Sequence, residues 1–284
     1  MTKDSSEVRL SKEELIRYNR QIIYQDWGEE GQRKVKQATV FIAGVGGLGG
    51  PVSMYLAAAG VGKLKICDNG YVEPSNLNRQ ILFNNSNLNQ EKASVAKNTL
   101  NRLNPHITIE HFSERISRDN IDRLVRGSEI IVDCLDNFET RYVLNEYAVS
   151  KRLPFVHAGV EGPAGQITFI HSPETPCLKC IVPRTPVSQK VFPIIGTTAG
   201  ILGCLEANEV LKYLTGISFN LKGVLIIWNG MKTDFHRIEI GKDPDCPVCG
   251  KNISEKIMTH SFFRTERVLN RFIAAESSKG LNRA

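Results

Sequence analysis

The sequence lacks a long hydrophobic run. Its first ten residues, MTKDSSEVRL, contain no apolar stretch, and no window approaches the roughly 20 consecutive apolar residues that a membrane-spanning helix needs. A block of like charge is also missing, because 36 Lys and Arg against 30 Asp and Glu give a net charge of +6 that is spread along the chain. Such a balance favours acidic ligands without indicating nucleic-acid binding. We therefore expect a soluble, cytoplasmic protein that binds neither membranes nor nucleic acid.

Internal repeats and low-complexity tracts are absent as well. Nothing in a chain of 284 residues with 41% hydrophobic content requires two separate folding units. We expect one large domain over residues 1–250, with a helix at its N-terminus, and an appendage over residues 251–284 that ends in a frayed tail.

Strand-like and helix-like segments alternate along most of the chain. Ser11 and Glu14 form a capping-box pattern at the start of the first predicted helix, SKEELIRYNRQIIYQ. The apolar runs ATVFIAG, KLKICD, ITIEHF and EIIVDCLDN are then separated by helical patterns, which predicts a mostly parallel sheet covered on both faces. After PFVHAGV, the strands GQITFIH, KGVLIIWNG and TDFHRIEI lack crossover helices apart from TTAGILGCLEANEVLKYLTG. The expected fold is α/β and Rossmann-like with an antiparallel extension.

A glycine-rich loop follows the first of these strands, in VFIAGVGGLGG. Gly44, Gly46 and Gly49, with Gly47 between them, match the pattern that lets backbone N–H groups and a helix N-terminus approach a phosphate. Asp68 ends the next strand, where a carboxylate can bind ribose hydroxyls. NAD, FAD and ATP all fit this pair of features, and close helix-strand packing is an alternative role for the glycines.

Polar side chains cluster after Asp68, in NGYVEPSNLNRQILF. Asn76, Arg79 and Gln80 lie there, and Lys92 begins the next helix. The glycine loop contains no lysine of its own, so a triphosphate would need cations from elsewhere, which Arg and Lys supply through charge-assisted hydrogen bonds. Ordinary surface roles for each residue are the alternative. Their co-occurrence favours ATP over the nicotinamide or flavin of an oxidoreductase.

Asp136 follows the fourth predicted strand, at the edge where open α/β sheets bind ligands. Its carboxylate can hold a Mg²⁺ on the phosphates. A helix N-cap, formed by Asp136 or Asn137, is the other interpretation.

Four of the seven cysteines fall in two Cys-x-x-Cys pairs. The pairs are too distant in sequence for a compact zinc finger but suit two segments joined by a structural Zn²⁺. A redox pair or free thiols remain alternatives. The expected ligands are Cys177, Cys180, Cys246 and Cys249. The other cysteines, Cys67, Cys134 and Cys204, lie in apolar segments and are expected to be buried and unreactive.

The ordered set RYNRQI, GVGGLGG, SNLNRQ, EKA, DCLDN and the two Cys-x-x-Cys pairs resembles the ThiF, MoeB and HesA family of sulfur-carrier-protein adenylyltransferases, prokaryotic relatives of ubiquitin-activating enzymes. The resemblance runs from about Ser11 to Cys249. It implies one α/β domain, usually a homodimer, that uses ATP and Mg²⁺ to adenylate the C-terminal Gly-Gly of a small ubiquitin-like sulfur-carrier protein. Molybdopterin and thiamine biosynthesis are the pathways it suggests.

The resemblance also implies residue roles. Asp68 would bind the ribose; Asn76, Arg79 and Lys92 the phosphates; Asp136 the magnesium. Arg20 would reach the ATP of the partner subunit, so that the expected catalytic residues are Arg20, Arg79, Lys92 and Asp136. The family often has a second acidic residue two places after the ribose-binding Asp, whereas this chain has Gly70.

A cysteine that many relatives carry is missing near Gln189, in VSQKVFPIIG. We therefore expect a released acyl-adenylate instead of a thioester, with sulfur supplied by another protein such as a sulfurtransferase or a cysteine desulfurase. Two further alternatives stay open. One is adenylation of a tRNA-linked or peptide carboxylate, and the other is a nucleotide-binding scaffold without catalysis.

Overall fold

The computed structural model of the chain describes residues 8–185, 192–218 and 220–250. The predicted appendage over residues 251–284 lies outside the described residues, as does the part of VSQKVFPIIG that contains Gln189. The predictions for these two segments therefore stay predictions.

One sheet of eight strands organises the described chain. Its order is β3-β2-β1-β4-β5-β6-β7-β8, with pairing parallel from β3 to β5 and antiparallel from β5 to β8. The expected Rossmann-like sheet with an antiparallel extension is confirmed. The strands are β1 (Thr39–Ala43), β2 (Lys63–Cys67), β3 (Thr108–Phe112), β4 (Ile130–Asp133), β5 (Phe155–Glu161), β6 (Ala164–Ile170), β7 (Val224–Asn229) and β8 (Asp234–Glu239).

Helices cover both faces of this sheet, and two short 3₁₀ turns, Pro74–Asn76 and Asn85–Asn87, lie between β2 and α5. The helices are α1 (Lys12–Arg17), α2 (Asn19–Ile22), α3 (Gly28–Gln37), α4 (Gly49–Ala59), α5 (Lys92–Leu103), α6 (Ile121–Val125), α7 (Phe138–Lys151), α8 (Leu178–Ile181) and α9 (Gly196–Thr215). Among the described helices, none combines the length and the apolar composition that crossing a bilayer requires.

The first predicted helix starts as expected and then divides. Ser11 caps α1, with its hydroxyl accepting from the N–H of Glu14 and its own N–H donating to the Glu14 carboxylate. The prediction of one continuous helix is wrong, because Tyr18 leaves helical geometry between α1 and α2. Its ring is buried against Gly60, and its hydroxyl accepts from the Asn104 side chain at 2.8 Å. This tertiary contact redirects the chain.

Strand β1 shows why the central strands read as continuous apolar runs. Val40 and Ile42 belong to the core on one face of the sheet, beneath α4, α5 and α9. Phe41 and Ala43 belong to the core on the other face, beneath α6 and α7. Both faces are covered, so the residues that point to either face, Val40 to Ala43, are apolar.

The strand order reverses beside β1, whose neighbours are β2 and β4. Loops that leave the carboxyl ends of two such strands turn to opposite faces and open a crevice between them. The glycine loop leaves β1 at this point, and the segment carrying Asp136 leaves β4. The fold therefore brings the two predicted halves of the site together.

Candidate active site

The glycine loop is packed tightly against the end of β4. Gly44 has φ +90°, and a Cβ there would lie 2.8 Å from the carbonyl oxygen of Cys134. A Cβ at Gly49 would collide with the carbonyl oxygen of Gly44. These two glycines meet the demands of close packing. Gly46 instead faces the Gln80 side chain, Gly47 faces Ala199 and the stem of Arg79, and both glycines are half-buried.

Asp68 follows β2 beside this loop. One carboxylate oxygen accepts from the N–H of Val45 at 2.9 Å, and the other accepts from the N–H of Gly70 at 2.8 Å. Each oxygen keeps a further lone pair. The carboxylate is thus oriented by the backbone and still able to accept hydrogen bonds from a ligand's hydroxyl groups.

Gly70 and Lys92 are neighbours in the structure. The Lys92 N–H donates to the Gly70 carbonyl at 2.9 Å. A Cβ at Gly70 would lie 3.1 Å from Asp68 Oδ1 and 3.3 Å from Lys92 Nζ. The missing side chain thus leaves a space that is bordered by both the Lys92 ammonium group and the Asp68 carboxylate. An acidic residue at position 70 would need this same space.

Arg79 and Gln80 lie over the glycine loop, in a turn whose N–H groups at both positions donate to the Asn76 carbonyl. A Cβ at Gly47 would lie 3.7 Å from Arg79 Cγ, and one at Gly46 would lie 3.4 Å from Gln80 Nε2. The Asn76 side chain is buried and accepts from the N–H of Glu73 at 3.1 Å, so it stabilises this turn.

The side chains of Arg79 and Gln80 in the same turn are placed to contact a ligand. Arg79 Nη1 donates to the carbonyl of Ser75 and to the side chain of Asn78, at 2.8 and 2.9 Å, which holds the guanidinium in place. Gln80 Oε1 is buried without a hydrogen-bond partner in the described part of the chain. A buried acceptor of this kind needs a donor, so the site suits a ligand that carries one.

Asp136 is exposed on the loop between β4 and α7. Of its two predicted roles, the helix N-cap belongs to Asn137, whose Oδ1 accepts from the N–H of Thr140 at 2.9 Å. The Asn137 amide also approaches Asp136 Oδ1 at 3.4 Å. The Asp136 carboxylate is left facing solvent at the switch point, where it is accessible to a cation.

Arg20 lies away from this cluster. Its neighbours Tyr18 and Gln21 contact Gly60 and the carbonyl of Ala59, at the C-terminal end of α4. The glycine loop lies at the N-terminal end of that helix, which is ~16 Å long at 1.5 Å per residue. The exposed Arg20 side chain is therefore not brought to the glycine loop of its own chain.

A buried polar cluster beneath the Asp136 loop was missed by the sequence patterns. Asp133 and His157 are both fully buried, with 2.7 Å between Asp133 Oδ2 and His157 Nδ1. The signal was a single ionisable residue inside each of two apolar strands, in IIVDC and PFVHAG, because such groups need partners when they are buried. Burial lowers the pKa of His157, which keeps the imidazole neutral.

The four cysteines of the two Cys-x-x-Cys pairs converge in space. Their Sγ atoms all lie within 4.8 Å of one another, with 3.7 Å between Cys177 and Cys246 and 3.4 Å between Cys180 and Cys249. Sulfur atoms around a tetrahedral Zn²⁺ with bonds of about 2.3 Å stand about 3.8 Å apart. The cluster therefore fits zinc, and the convergence of all four thiols favours a metal over two separate redox pairs.

The remaining three cysteines differ from one another. Cys67 and Cys134 are buried as expected, and burial raises the pKa of Cys67 to about 12. The prediction for Cys204 is wrong, because this residue is exposed. Helix α9 is apolar on two faces, and Cys204 lies on the outer one, beside a groove of about 570 Å³ lined by Ile201 and Leu205. Partial desolvation there raises the pKa of the Cys204 thiol.

Fold and site together define a Rossmann-like nucleotide-binding domain with a cysteine cluster near the far end of its sheet. The chain belongs to the ThiF family, whose model matches residues 18–248. It is 38% identical over 244 residues to Protein HesA of Leptolyngbya boryana, covering 86% of this chain and 88% of the relative.

Two further relatives bear on the activity. The chain is 36% identical over 259 residues to the sulfur carrier protein adenylyltransferase of Thermus thermophilus, which covers 88% of this chain and 96% of the relative. A crystal structure of E. coli MccB with ATP has a TM-score of 0.74 at 26% identity, covering 87% of this chain and 75% of that one. The expected family and the expected class of enzyme, an adenylyltransferase, are confirmed.

Proposed function

We propose that the protein uses ATP and Mg²⁺ to adenylate the C-terminal glycine of a small ubiquitin-like sulfur-carrier protein ending in Gly-Gly, with release of pyrophosphate. The named activity of the Thermus thermophilus relative supports this substrate class. The carrier would serve molybdopterin or thiamine biosynthesis, and a sulfurtransferase or cysteine desulfurase would provide the sulfur.

One observation carries the proposal: two cationic residues from separate segments, Arg79 at the glycine loop and Lys92 beside Gly70, line a site whose glycine loop has no lysine of its own. Lys92 reaches the space beside Gly70, and Arg79 lies against Gly47. A dehydrogenase site has no need of this pair, whereas a triphosphate does. In this proposal Asp68 binds the ribose, Asn76 stabilises the turn that presents Arg79, and Gln80 accepts a hydrogen bond from the bound substrates.

The proposed reaction requires no nucleophilic side chain. An oxygen of the carrier's terminal carboxylate attacks the α-phosphorus of ATP, a new P–O bond forms, and the bond to the leaving pyrophosphate breaks. Arg79 and Lys92 would stabilise the charge on the phosphates, and contacts of this kind are each worth about 10²- to 10³-fold in rate. A Mg²⁺ held by Asp136 would neutralise phosphate charge when bound.

The first expected result concerns nucleotide choice. ATP with Mg²⁺ should raise the melting temperature of the protein, because ligands that bind only the folded state stabilise it. NAD at the same concentration should have no comparable effect, since its diphosphate does not need both Lys92 and Arg79. Differential scanning fluorimetry provides the measurement. Stabilisation by NAD alone would contradict the ATP site.

The second expected result concerns the acceptor. A carrier protein ending in Gly-Gly should support ATP–pyrophosphate exchange, and the same carrier without its last two residues should not, because it has lost the reacting carboxylate. Cys204→Ala should retain the exchange rate of the wild type, since no thiol takes part in adenylation. This mechanism would be overturned if pyrophosphate exchange were equally fast with the truncated carrier. It would also be overturned if a folded Cys204→Ala variant lost pyrophosphate exchange.

A homodimer with shared sites is part of the proposal. Arg20 lies at the end of α4 remote from the glycine loop, so a role in catalysis requires that it act on another subunit. The outer face of α9 carries the exposed Cys204 between the half-buried Ile201 and Leu205, and apolar surface of this kind is commonly covered in an assembly.

We also propose a structural Zn²⁺ at the four cysteines. All four positions of a tetrahedral site would be occupied by protein thiolates, which leaves none for a substrate. The metal would join the segment after β6 to the segment after β8.

A further inference from the structure

A buried ion pair lies directly beneath the loop that carries Asp136. We propose that Asp133 and Arg141, supported by His157, form a clamp on the backbone of Leu135, the residue before Asp136, and so position the Asp136 carboxylate for Mg²⁺. The inference rests on the proposed role of Asp136. Asp133, Arg141 and His157 would be positioning residues that touch neither ATP nor the metal.

The backbone N–H and the backbone carbonyl of Leu135 are bound by two side chains of opposite charge. Its N–H donates to Asp133 Oδ1 at 3.1 Å. Its carbonyl accepts from Arg141 Nη2, which also donates to the carbonyl of Ala158 at 3.0 Å. The carbonyl of Leu135 belongs to the peptide bond that ends at the nitrogen of Asp136. That unit is planar, so fixing its oxygen also fixes the direction in which the chain enters Asp136.

His157 holds the second oxygen of Asp133. The ring nitrogen Nδ1 lies 2.7 Å from Asp133 Oδ2, and Nε2 lies 3.4 Å from the side-chain nitrogen of Gln166. A carboxylate only accepts, and the amide nitrogen only donates. The imidazole therefore carries its proton on Nδ1 and donates it to Asp133. This bond fixes the carboxylate that in turn binds Leu135.

The charges of the cluster balance. Arg141 Nε lies 3.4 Å from Asp133 Oδ2, close enough for an ion pair but not aligned for a hydrogen bond. Burial raises the pKa of the neighbouring Glu206 well above its usual range, so this carboxyl stays neutral. One anion, Asp133, and one cation, Arg141, remain in this cluster. A buried pair of this kind is costly to form, and removal of one partner is strongly destabilising because it leaves an uncompensated buried charge.

The residue after Asp136 is fixed as well. Asn137 caps α7, and Arg141 lies on the first turns of this helix with its guanidinium 5.1 Å from the Phe138 ring centre. Asp136 is thus an exposed carboxylate between two restrained neighbours. Restrained ligands lose less conformational entropy when a metal binds, which is how the clamp would favour Mg²⁺.

Arg141→Lys tests the clamp. Lysine keeps the charge near Asp133 but lacks the forked donor that reaches two carbonyls. Changes behind a metal ligand typically cost about 10- to 100-fold in metal affinity. In ATP–pyrophosphate exchange, we expect the Mg²⁺ concentration for half-maximal rate to rise by about tenfold or more. The KM for ATP at saturating Mg²⁺ should stay within about twofold of wild type, because the nucleotide contacts lie elsewhere.

Arg115→Lys is the matched control. Arg115 also pairs with the first turn of α7, through Glu139 at 2.8 Å, but both side chains are exposed. Its Mg²⁺ requirement should equal that of the wild type. A general weakening of the fold would change the KM for ATP and the melting temperature without a selective change in Mg²⁺ requirement. An unchanged Mg²⁺ requirement in Arg141→Lys would overturn the clamp.

Hydrogen–deuterium exchange tests the clamp independently of the proposed function. The peptide covering residues 134–139 should exchange faster in Arg141→Lys than in wild type or Arg115→Lys, with no nucleotide present. If the wild type catalyses no ATP–pyrophosphate exchange at any Mg²⁺ concentration, the proposed function fails. The deuterium-exchange measurement still decides whether the clamp exists. If Arg141→Lys does not fold, His157→Gln, which removes the ring that holds Asp133, should give the same faster exchange. A deuterium-exchange rate of this peptide in His157→Gln that equals the wild-type rate would refute the inference.

Discussion

Replacing Cys177 with serine is expected to abolish zinc binding and to lower the free energy of unfolding by several kcal/mol. Cys177 caps the short helix α8 and Cys180 lies within it, while Cys246 and Cys249 follow β8, the edge strand of the sheet. The metal would join these two segments across a long stretch of chain. Its binding energy is then folding energy, which for structural zinc peptides reaches about 10–16 kcal/mol at neutral pH. Loss of one thiolate removes a large part of this.

Metal analysis and chemical denaturation test the expectation together. Wild type should contain one zinc per chain and unfold at a lower denaturant concentration after treatment with a chelator. Cys204→Ala is the matched control, because Cys204 is a cysteine outside the cluster, and its zinc content should equal that of wild type. Fully stable wild-type protein that contains no zinc would show that the cluster is not a metal site.

The second large effect is restoration of activity by mixing two inactive variants. Arg20→Ala and Asp136→Ala should each lose ATP–pyrophosphate exchange, because each removes a charge proposed to act on the nucleotide. If Arg20 completes the site of the other subunit, a mixed dimer has one site in which both residues are intact. Random mixing of equal amounts makes about half of the dimers mixed, so activity should approach about a quarter of the wild-type value.

The mixing experiment needs subunits that exchange. Each variant is therefore unfolded and refolded alone and also together with the other, and the two preparations are compared at equal total protein. An Asp136→Ala chain mixed with a Lys92→Ala chain is the control, since Asp136 and Lys92 are both proposed to act on the nucleotide bound by their own chain. That mixture leaves each site with one defect and should stay inactive. No recovery with the Arg20→Ala chain would show that Arg20 does not act between subunits.

Much of the site could be predicted because its parts lie next to recognisable strand ends. Asp68 follows β2 and Asp136 follows β4, and parallel strands bring their carboxyl ends to one edge of the sheet. The adjacency of Lys92 and Gly70 could not be predicted in this way. It depends on how the turn after β2 packs back against α5, where the Lys92 N–H meets the Gly70 carbonyl.

Local rules by themselves determined several of the secondary-structure elements of this protein. The Ser11 capping box, the apolar strands and the left-handed Gly60 that ends α4 each act within a few residues, so the sequence specifies them directly. The two Cys-x-x-Cys pairs could be recognised in the same way, because cysteines at that spacing are typical of metal sites.

Only the tertiary structure decided which faces and which partners these elements use. Cys204 lies in an apolar helix, and periodicity could not tell the inner face from the outer one because both are apolar. The partnership of Asp133 with His157 and Arg141 depends on the pairing of β4 with β5 and on the first turns of α7. Such contacts join residues that are distant in sequence, and their energies depend on burial, which no short pattern encodes.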